Sequence, residues 1–283
     1  MVLKTFDLFY TYSVQFSIVY QNRLFYDIEN VGVPYNSNRN EDKTMRKSAL
    51  ITGASRGIGH ACALALARQG YHLYLTCKNR LELLEELQRE ITTLFPVSCR
   101  IFQCDVSQPA EIEGIFAEIE QLTLLVNNAG ISYIGLLTDM SVSDWDVIMN
   151  TNLNSVFYTS RHAIPLFLKQ GCGRIINVSS VWGNVGASME VAYSASKGGV
   201  NAFTKALAKE LAPSGIPVNA IACGMIGTEM NGHFTEEELA DICAEIPADR
   251  IASPDEVADM VCQLAEAPSY LTGQVITFDG GWT

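Results

Sequence analysis

Two patterns of apolar residues alternate along the chain from Ser48 to its end. Short, nearly continuous apolar runs predict strands that are buried on both faces, whereas apolar residues spaced three or four apart predict amphipathic helices. The predicted strands cover residues 48–52, 71–77, 99–104, 122–127, 174–178, 217–222 and 274–277. The predicted helices cover residues 58–69, 80–93, 109–121, 142–169 with a break near Asn150, 191–211 and 254–266. This alternation predicts an α/β fold, with a doubly wound, seven-stranded parallel sheet covered by helices on both faces.

Residues 1–44 follow neither pattern. The stretch contains many aromatic residues, including Phe6, Tyr12 and Tyr35, but no helical period and no strict alternation. Its longest uncharged run, residues 8–22, is too short and too polar to cross a membrane. We therefore expect residues 1–44 to be an atypical extension outside the fold and residues 45–283 to form a single domain. The alternative is an aromatic arm that docks on a partner or on another subunit.

Composition narrows the classes of partner. The chain has 283 residues, 48% of them hydrophobic, and a formal net charge of -12. That length and composition suffice for a large core, and the acidic balance argues against nucleic acid or an anionic membrane as the main partner. The eight cysteines include no C-x-x-C pair. They indicate reduced thiols in a cytoplasmic protein, and no metal site is predicted.

A glycine-rich loop lies between the first predicted strand and the first predicted helix. It reads Gly53-Ala-Ser55-Arg56-Gly57-Ile58-Gly59. Glycines at this point allow a tight turn and let the backbone approach a pyrophosphate at the helix N-terminus. The position of the loop, more than the glycines alone, predicts a dinucleotide site in a Rossmann fold.

The end of the second strand indicates which dinucleotide binds. Folds that bind NAD usually place an acid there, whereas this chain has Lys78 and Arg80. Together with Arg56 these cations would attract a 2′-phosphate through charge-assisted hydrogen bonds. The sequence therefore predicts NADP(H) as cofactor, although Lys78 and Arg80 could instead be solvated residues at a helix start.

Small and polar residues follow the third and fourth predicted strands. Asp105 and Val106 follow the third strand, and Asn128, Ala129 and Gly130 follow the fourth. Ligands of open α/β sheets bind at these carboxyl ends. We expect Asp105 and Val106 to contact the adenine, and the other three residues to lie against the cofactor.

A third motif contains candidate catalytic residues. Tyr193 and Lys197 are four residues apart, so in a helix they share one face. An ammonium near a phenol would lower its pKa from about 10 toward the working pH. Ser180 lies upstream and could hydrogen-bond the same substrate oxygen. The three residues predict proton transfer to a carbonyl or from an alcohol.

These motifs together resemble the short-chain dehydrogenase/reductase family, over essentially residues 45–283. The resemblance is carried by residues 52–59, Asn127-Asn-Ala-Gly130, Asn152, Ser180, Tyr193-x-x-x-Lys197 and Gly280-Gly281. Within the family the chain looks most like bacterial 3-oxoacyl-acyl-carrier-protein reductases of fatty acid biosynthesis. Residues 181–193 are also similar to a branch that reduces a 5-aminopentanone group on elongation factor P.

The resemblance implies roles for particular residues. Tyr193 would protonate the carbonyl oxygen and Ser180 would hold it. Lys197 would bind the nicotinamide ribose and lower the pKa of Tyr193, and Asn152 would kink its helix and support a proton-relaying water. Ile226 and Thr228 would also contact the cofactor.

The resemblance also implies a homotetramer that acts on a small or carrier-bound ketone. Two alternatives stay open beside a 3-oxoacyl thioester: the elongation-factor modification and a non-catalytic NADP-binding regulator.

The loops after strands four, five and six are expected to form the substrate pocket. Residues 227–246 read as a mobile lid, with Gly232 as a possible hinge and a capped helix start at residues 235–238. Glu190 could pair with a substrate amine. The expected pocket residues are Ser132, Tyr133, Trp182, Val185, Met189, Met225, Met230 and His233.

Overall fold

The computed structural model of the protein describes residues 46–232 and 234–283. Seven strands form one sheet within these residues. They are β1 (Ser48–Ile51), β2 (His72–Cys77), β3 (Cys99–Gln103), β4 (Leu124–Asn127), β5 (Ile175–Ser180), β6 (Val218–Cys223) and β7 (Val275–Phe278). Every pair of neighbouring strands is parallel.

The α-helices lie between these strands along the chain. They are α1 (Gly57–Arg68), α2 (Leu81–Leu94), α3 (Pro109–Ala117), α4 (Val142–Met149), α5 (Ser155–Gln170), α6 (Trp182–Val185), α7 (Val191–Leu211), α8 (Glu236–Glu245) and α9 (Pro254–Glu266). Shorter 3₁₀ turns occupy Ala212–Ser214 and Glu229–Asn231.

The strand order is β3-β2-β1-β4-β5-β6-β7. The chain moves outward from β1 to β3 and then returns to the other side of β1 with β4. Such a reversal leaves a crevice at the carboxyl ends of β1 and β4, where open α/β sheets bind their ligands. The predicted doubly wound Rossmann fold with a seven-stranded parallel sheet is confirmed.

Alternating side chains of each strand build two separate cores. In β1, Ala49 and Ile51 face one core while Leu50 faces the other. Helices α1, α2 and α9 cover the first core, and α3, α5 and α7 cover the second. Because both faces of a parallel sheet are buried in this way, its strands are apolar throughout, which explains the runs in the sequence.

The structure differs from the predicted elements at two points that shape the site. The predicted helix break near Asn150 is a π-helical turn, Asn150–Asn154, which joins α4 to α5 without interrupting the helix. Strand β5 continues to Ser180, two residues beyond the predicted end. Ser180 is therefore held by the sheet rather than by a loop, because β5 pairs with β6 up to the Ser180 and Cys223 register.

The predicted extension at residues 1–44 lies outside the described residues, and its separation from the fold stays a prediction. Among residues 46–232 and 234–283, no helix combines the length and apolarity required to cross a bilayer.

Candidate active site

A cavity of about 540 Å³ opens at the carboxyl edge of the sheet. It runs along the ends of β1 to β6 and beneath the segment that contains α8. The volume lies within the range of about 300–1,000 Å³ that is usual for cofactor and ligand sites. The cavity therefore has the size and the position expected for a dinucleotide and a small substrate.

The glycine loop leaves space that side chains would fill. Gly53 has a φ of +66°, and a Cβ built there would lie 2.9 Å from the Cα of Ala129. A Cβ on Gly59 would collide with the carbonyl oxygen of Gly53 and lie 2.5 Å from Nδ2 of Asn128. Since α1 begins at Gly57, its free N–H groups face this cradle, which fits the pyrophosphate of a dinucleotide.

Two polar side chains brace the glycine loop. Asn128 Nδ2 donates to the carbonyl oxygens of Thr52 and Gly53 at 2.9 and 3.0 Å. The Thr52 hydroxyl accepts from the backbone N–H groups of Asn128 and Ala129, both at 3.0 Å. The loop is thus tied to the end of β4. The sequence indicated Asn128 as a cofactor contact but gave no positioning role to Thr52.

Two of the three cations predicted to select a 2′-phosphate are paired with carboxylates, and the third, Arg80, also lines the cavity. Arg56 Nη1 lies 2.5 Å from Glu229 Oε2, and Lys78 Nζ lies 2.7 Å from Asp105 Oδ2. Partial burial raises the pKa of Asp105, but hydrogen bonds from Lys78 and Ser107 outweigh it and hold that pKa below its usual range. Glu229 had no signal in the sequence, because it lies far from Arg56 along the chain.

Ser180, Tyr193 and Lys197 meet at the other end of the cavity. The side chains of Ser180 and Tyr193 are hydrogen-bonded, and the Ser180 hydroxyl also accepts from the Trp182 N–H at 3.2 Å. Lys197 Nζ donates to the carbonyl oxygen of Val178 at 2.9 Å and lies 5.7 Å from the centre of the Tyr193 ring. The structure thus brings the three predicted residues together.

The pKa of Tyr193 is raised rather than lowered. Burial is the largest cause; the hydrogen bond with Ser180 opposes it, and nearby Cys223 and Glu190 add to it. Burial lowers the pKa of Lys197 to about 8. The expectation that Lys197 lowers the pKa of the phenol is therefore wrong here, because desolvation raises that pKa and the opposing effect comes from Ser180. Tyr193 carries its proton at neutral pH, as an acid must.

Asn152 lies behind the catalytic side chains and does not line the cavity. Its Oδ1 accepts from Ile131 N at 2.8 Å, and its Nδ2 donates to Ile131 O at 2.9 Å and to Ser196 Oγ at 3.1 Å. A Cβ on Gly130 would lie 3.4 Å from both Asn152 Oδ1 and Lys197 Nζ. Asn152 therefore joins the loop after β4 to α7, next to Lys197.

The substrate end differs in part from the expected pocket. Ser132, Trp182, Met225 and Met230 line the cavity, whereas Tyr133, Val185 and Met189 do not. His233 lies outside the described residues. Phe234 and Ile242, which belong to the predicted lid, and Trp282 also line this end, although the sequence analysis named none of the three as a pocket residue.

The segment expected to act as a lid lies over the substrate end of the cavity. The predicted helix start is confirmed, because Thr235 and Glu238 form a capping box at the start of α8. The mobility of the segment and the hinge at Gly232 stay predictions.

Nearly all the predicted cofactor residues line the cavity. They are Gly53, Ser55, Arg56, Gly57, Ile58, Lys78, Asp105, Val106, Asn128, Ala129, Gly130, Tyr193, Lys197, Ile226 and Thr228. Gly59 lies beneath the loop instead. In the described part of the chain, no group of three His, Cys, Asp or Glu residues could hold a metal ion. The arrangement can bind a dinucleotide and deliver a proton next to it.

Comparison with known proteins places this geometry in a family. The sequence model of the short chain dehydrogenase family matches residues 47–239. The uncharacterized oxidoreductase YmfI of Bacillus subtilis is 40% identical over 240 residues, which cover 84% of this chain and 99% of that protein. The 3-oxoacyl-[acyl-carrier-protein] reductase FabG of Staphylococcus aureus is 39% identical over 242 residues, with 84% and 98% covered.

A solved structure agrees with the sequence relatives. YwfH, described as an NADPH-dependent reductase involved in bacilysin biosynthesis, superposes with a TM-score of 0.80 at 28% identity. The match covers 84% of this chain and 98% of that one. These similarities support a nicotinamide cofactor. The chain belongs to the short chain dehydrogenase family of oxidoreductases.

Proposed function

We propose that the chain uses NADPH to reduce a ketone to a secondary alcohol, and that the ketone is a 3-oxoacyl thioester. The observation that carries the proposal is the meeting of Ser180, Tyr193 and Lys197 at one end of a cavity whose other end is the glycine loop. A pure sensor of dinucleotides would need only the loop. The complete proton-transfer group therefore favours an enzyme over a non-catalytic regulator.

The side chains of this group divide the work of proton transfer. When bound, the nicotinamide cofactor supplies the hydride. Tyr193, protonated at neutral pH, gives its hydroxyl proton to the ketone oxygen, while the Ser180 hydroxyl holds that oxygen in place. Lys197 stabilises the phenolate that remains and binds the cofactor ribose. Asn152 keeps the adjoining loop in register and supports the return of a proton toward Lys197.

The preference for NADPH rests on Arg56 and Lys78. The Arg56–Glu229 pair is exposed on both sides, and such pairs contribute only about 0–1 kcal/mol, whereas in the Lys78–Asp105 pair the carboxylate is partly buried. A 2′-phosphate, with up to two negative charges and three acceptor oxygens, can therefore draw Arg56 away from Glu229 at little cost and can compete with Asp105 for the exposed Lys78. No acid at the end of β2 opposes it, because residues 76–80 are Thr, Cys, Lys, Asn and Arg.

The 3-oxoacyl thioester is supported by two features. One relative is named a 3-oxoacyl-[acyl-carrier-protein] reductase. The substrate end is also lined by apolar side chains from separate segments, including Met225, Met230 and Ile242, which suit an acyl chain.

A second candidate substrate is a ketone that carries an amine. Glu190 lines the cavity beside Tyr193, and its Oε2 accepts from Ser132 Oγ at 3.0 Å. A carboxylate in this position could pair with an ammonium group, as a 5-aminopentanone on elongation factor P would require. Glu190 is the observation that favours this candidate.

The assembly proposed with this function is a cytoplasmic homotetramer. Apolar side chains on α4 and α5 are exposed, among them Val142, Val147, Phe157 and Leu168. Exposed apolar side chains on two successive helices support burial against other copies of the chain. The molar mass in solution, measured by light scattering, tests it.

The deciding experiment compares three ketones in an NADPH oxidation assay. They are acetoacetyl-acyl carrier protein, acetoacetyl-coenzyme A and an amino ketone, the last matched with a neutral ketone of equal length. A thioester reductase prefers the first two. Preference for the amino ketone, lost in Glu190→Gln, would replace the first proposal with the second. NADPH binding without turnover of any ketone would favour the regulator.

A further inference from the structure

Two tryptophans from distant parts of the chain meet at the substrate end of the cavity. The ring centroids of Trp182 and Trp282 are 5.0 Å apart, and the ring planes are inclined by 59°. This is the tilted geometry that aromatic pairs prefer. Trp182 follows Ser180 by two residues, and the backbone N–H of Trp182 donates to the Ser180 hydroxyl. The pair therefore stands next to the group that would hold the ketone oxygen.

A carboxylate after β7 holds Trp282 in position. Asp279 accepts from the N–H groups of Gly281 and Thr283 at 2.9 and 2.8 Å, and from the Thr283 hydroxyl at 3.0 Å. Its neighbour across the site is Gly224, where a Cβ would lie 2.7 Å from the Asp279 Cβ. The segment that bears Trp282 is thus fixed against the end of β6, close to the catalytic residues.

Trp282 also contacts the segment that lies over the cavity. Its indole Nε1 donates to Glu245 Oε2 at 3.3 Å, at the end of α8. The chain just after α8 is held beside the segment that follows β7, because Ala248 N donates to Gly280 O at 3.1 Å. The Trp282 side chain therefore contacts both Trp182, near Ser180, and the end of α8.

We propose that Trp282 is a specificity-determining residue of the substrate pocket. With Trp182 it forms an aromatic wall against which the substituent of the ketone packs, and its bond to Glu245 keeps α8 over that wall. The inference rests on the proposed ketone reductase and deepens it. A wall of two indoles closes one side of the pocket, so short, unbranched substituents fit best and long or branched ones are disfavoured.

The test measures kcat/KM for acetoacetyl-coenzyme A and for 3-oxooctanoyl-coenzyme A. In Trp282→Ala we expect kcat/KM for the short thioester to fall about tenfold, chiefly through KM, while that for the long one does not fall, because the room gained by removing the wall offsets the lost packing. Trp282→Phe keeps a ring but loses the N–H to Glu245, and should lie between. KM for NADPH should stay constant in both variants.

The control variant is Tyr270→Ala, which removes an aromatic ring that is 97% exposed and lies outside the cavity. It should leave the ratio of the two thioesters unchanged. Equal losses for both thioesters in Trp282→Ala would mean that Trp282 supports the fold without choosing the substrate, and would overturn the proposal.

Fluorescence separates this proposal from that of the function. The third tryptophan, Trp145, does not line the cavity, so Trp145→Phe leaves the pair as the emitting residues. Acetoacetyl-coenzyme A, added with NADP⁺, should quench this emission, and the further change Trp282→Phe should weaken the quenching. Quenching without turnover would refute the proposed reductase activity but would support the proposal that the Trp182–Trp282 pair contacts the thioester. Absence of quenching, or quenching that is indifferent to Trp282, would overturn the wall.

Discussion

The two ends of the cavity are built by different means. At the cofactor end, the backbone of the glycine loop and the Asn128 side chain after β4 lie so close to Gly59 that a Cβ there would collide with them. At the substrate end, side chains from α6, α8 and the segment after β7 meet through ring contacts and exposed hydrogen bonds. The cofactor end thus depends on small residues within one short loop, and the substrate end depends on large residues brought together by the fold. We therefore expect that larger side chains at the cofactor end abolish or weaken cofactor binding, whereas substitutions at the substrate end change which ketone is preferred.

The largest loss of cofactor binding is expected from Gly59→Ala. The added methyl would collide with Gly53 O and Asn128 Nδ2 and push the glycine loop into the pyrophosphate site. Overpacking of this kind costs about 1–3 kcal/mol, which corresponds to a loss of roughly fivefold to 150-fold in NADPH affinity if the loop relaxes when the cofactor is absent. Isothermal titration calorimetry measures the change.

The matched control is Gly114→Ala in α3. A Cβ there has no atom within 4 Å, and alanine in a helix interior is more stable than glycine by about 0.5–1 kcal/mol. The control should bind NADPH as before and melt slightly higher. Unchanged NADPH binding in Gly59→Ala would show that the loop is not packed as described.

A smaller loss of activity with NADPH is expected when the cations that would bind the 2′-phosphate are removed. The double variant Arg56→Gln and Lys78→Gln removes the cations that would bind a 2′-phosphate but keeps the side-chain bulk. We expect kcat/KM for NADPH to fall about tenfold or more and that for NADH to stay within about twofold. A wild-type preference for NADPH of less than about tenfold would contradict the assignment of cofactor.

The difference between the two ends also explains how far the sequence could predict the site. Gly53, Asp105 and Tyr193 each follow or precede an apolar run at a fixed offset, so the order of elements was enough to predict that they lie at the carboxyl edge of the sheet, where they line the cavity. Glu229 and Trp282 contact partners more than ninety residues away, and no local pattern encodes such pairs. Trp182 was readable as a candidate pocket residue, but only the fold reveals its partner.

The pKa of Tyr193 is another property that the sequence alone could not predict. Spacing placed Tyr193 and Lys197 on one helix face, which the structure bears out. The sequence could not weigh the attraction of the ammonium against desolvation, because burial depends on the strands and loops around the helix. In this structure desolvation is the largest cause, and it raises the pKa of Tyr193.

The smallest expected effect is a pH dependence of cofactor binding. Burial lowers the pKa of Lys197 to about 8, so its ammonium loses its proton as the pH rises through that value. In the proposed site the charged form would donate to the cofactor ribose more strongly than the neutral amine. NADPH affinity should therefore be full below this pKa and decline several-fold above it. In Lys197→Met the dissociation constant should not change across the same range, and a wild-type profile that is equally flat would contradict this role of Lys197.

The central claim is that Tyr193 delivers the proton in an NADPH-dependent reduction of a ketone. The most direct measurement is the steady-state rate of NADPH oxidation with acetoacetyl-coenzyme A, for the wild type and for Tyr193→Phe. We predict turnover in the wild type, a loss of at least about a hundredfold in kcat in the variant, and equal NADPH affinity in both. Equal rates in the two proteins would contradict the account.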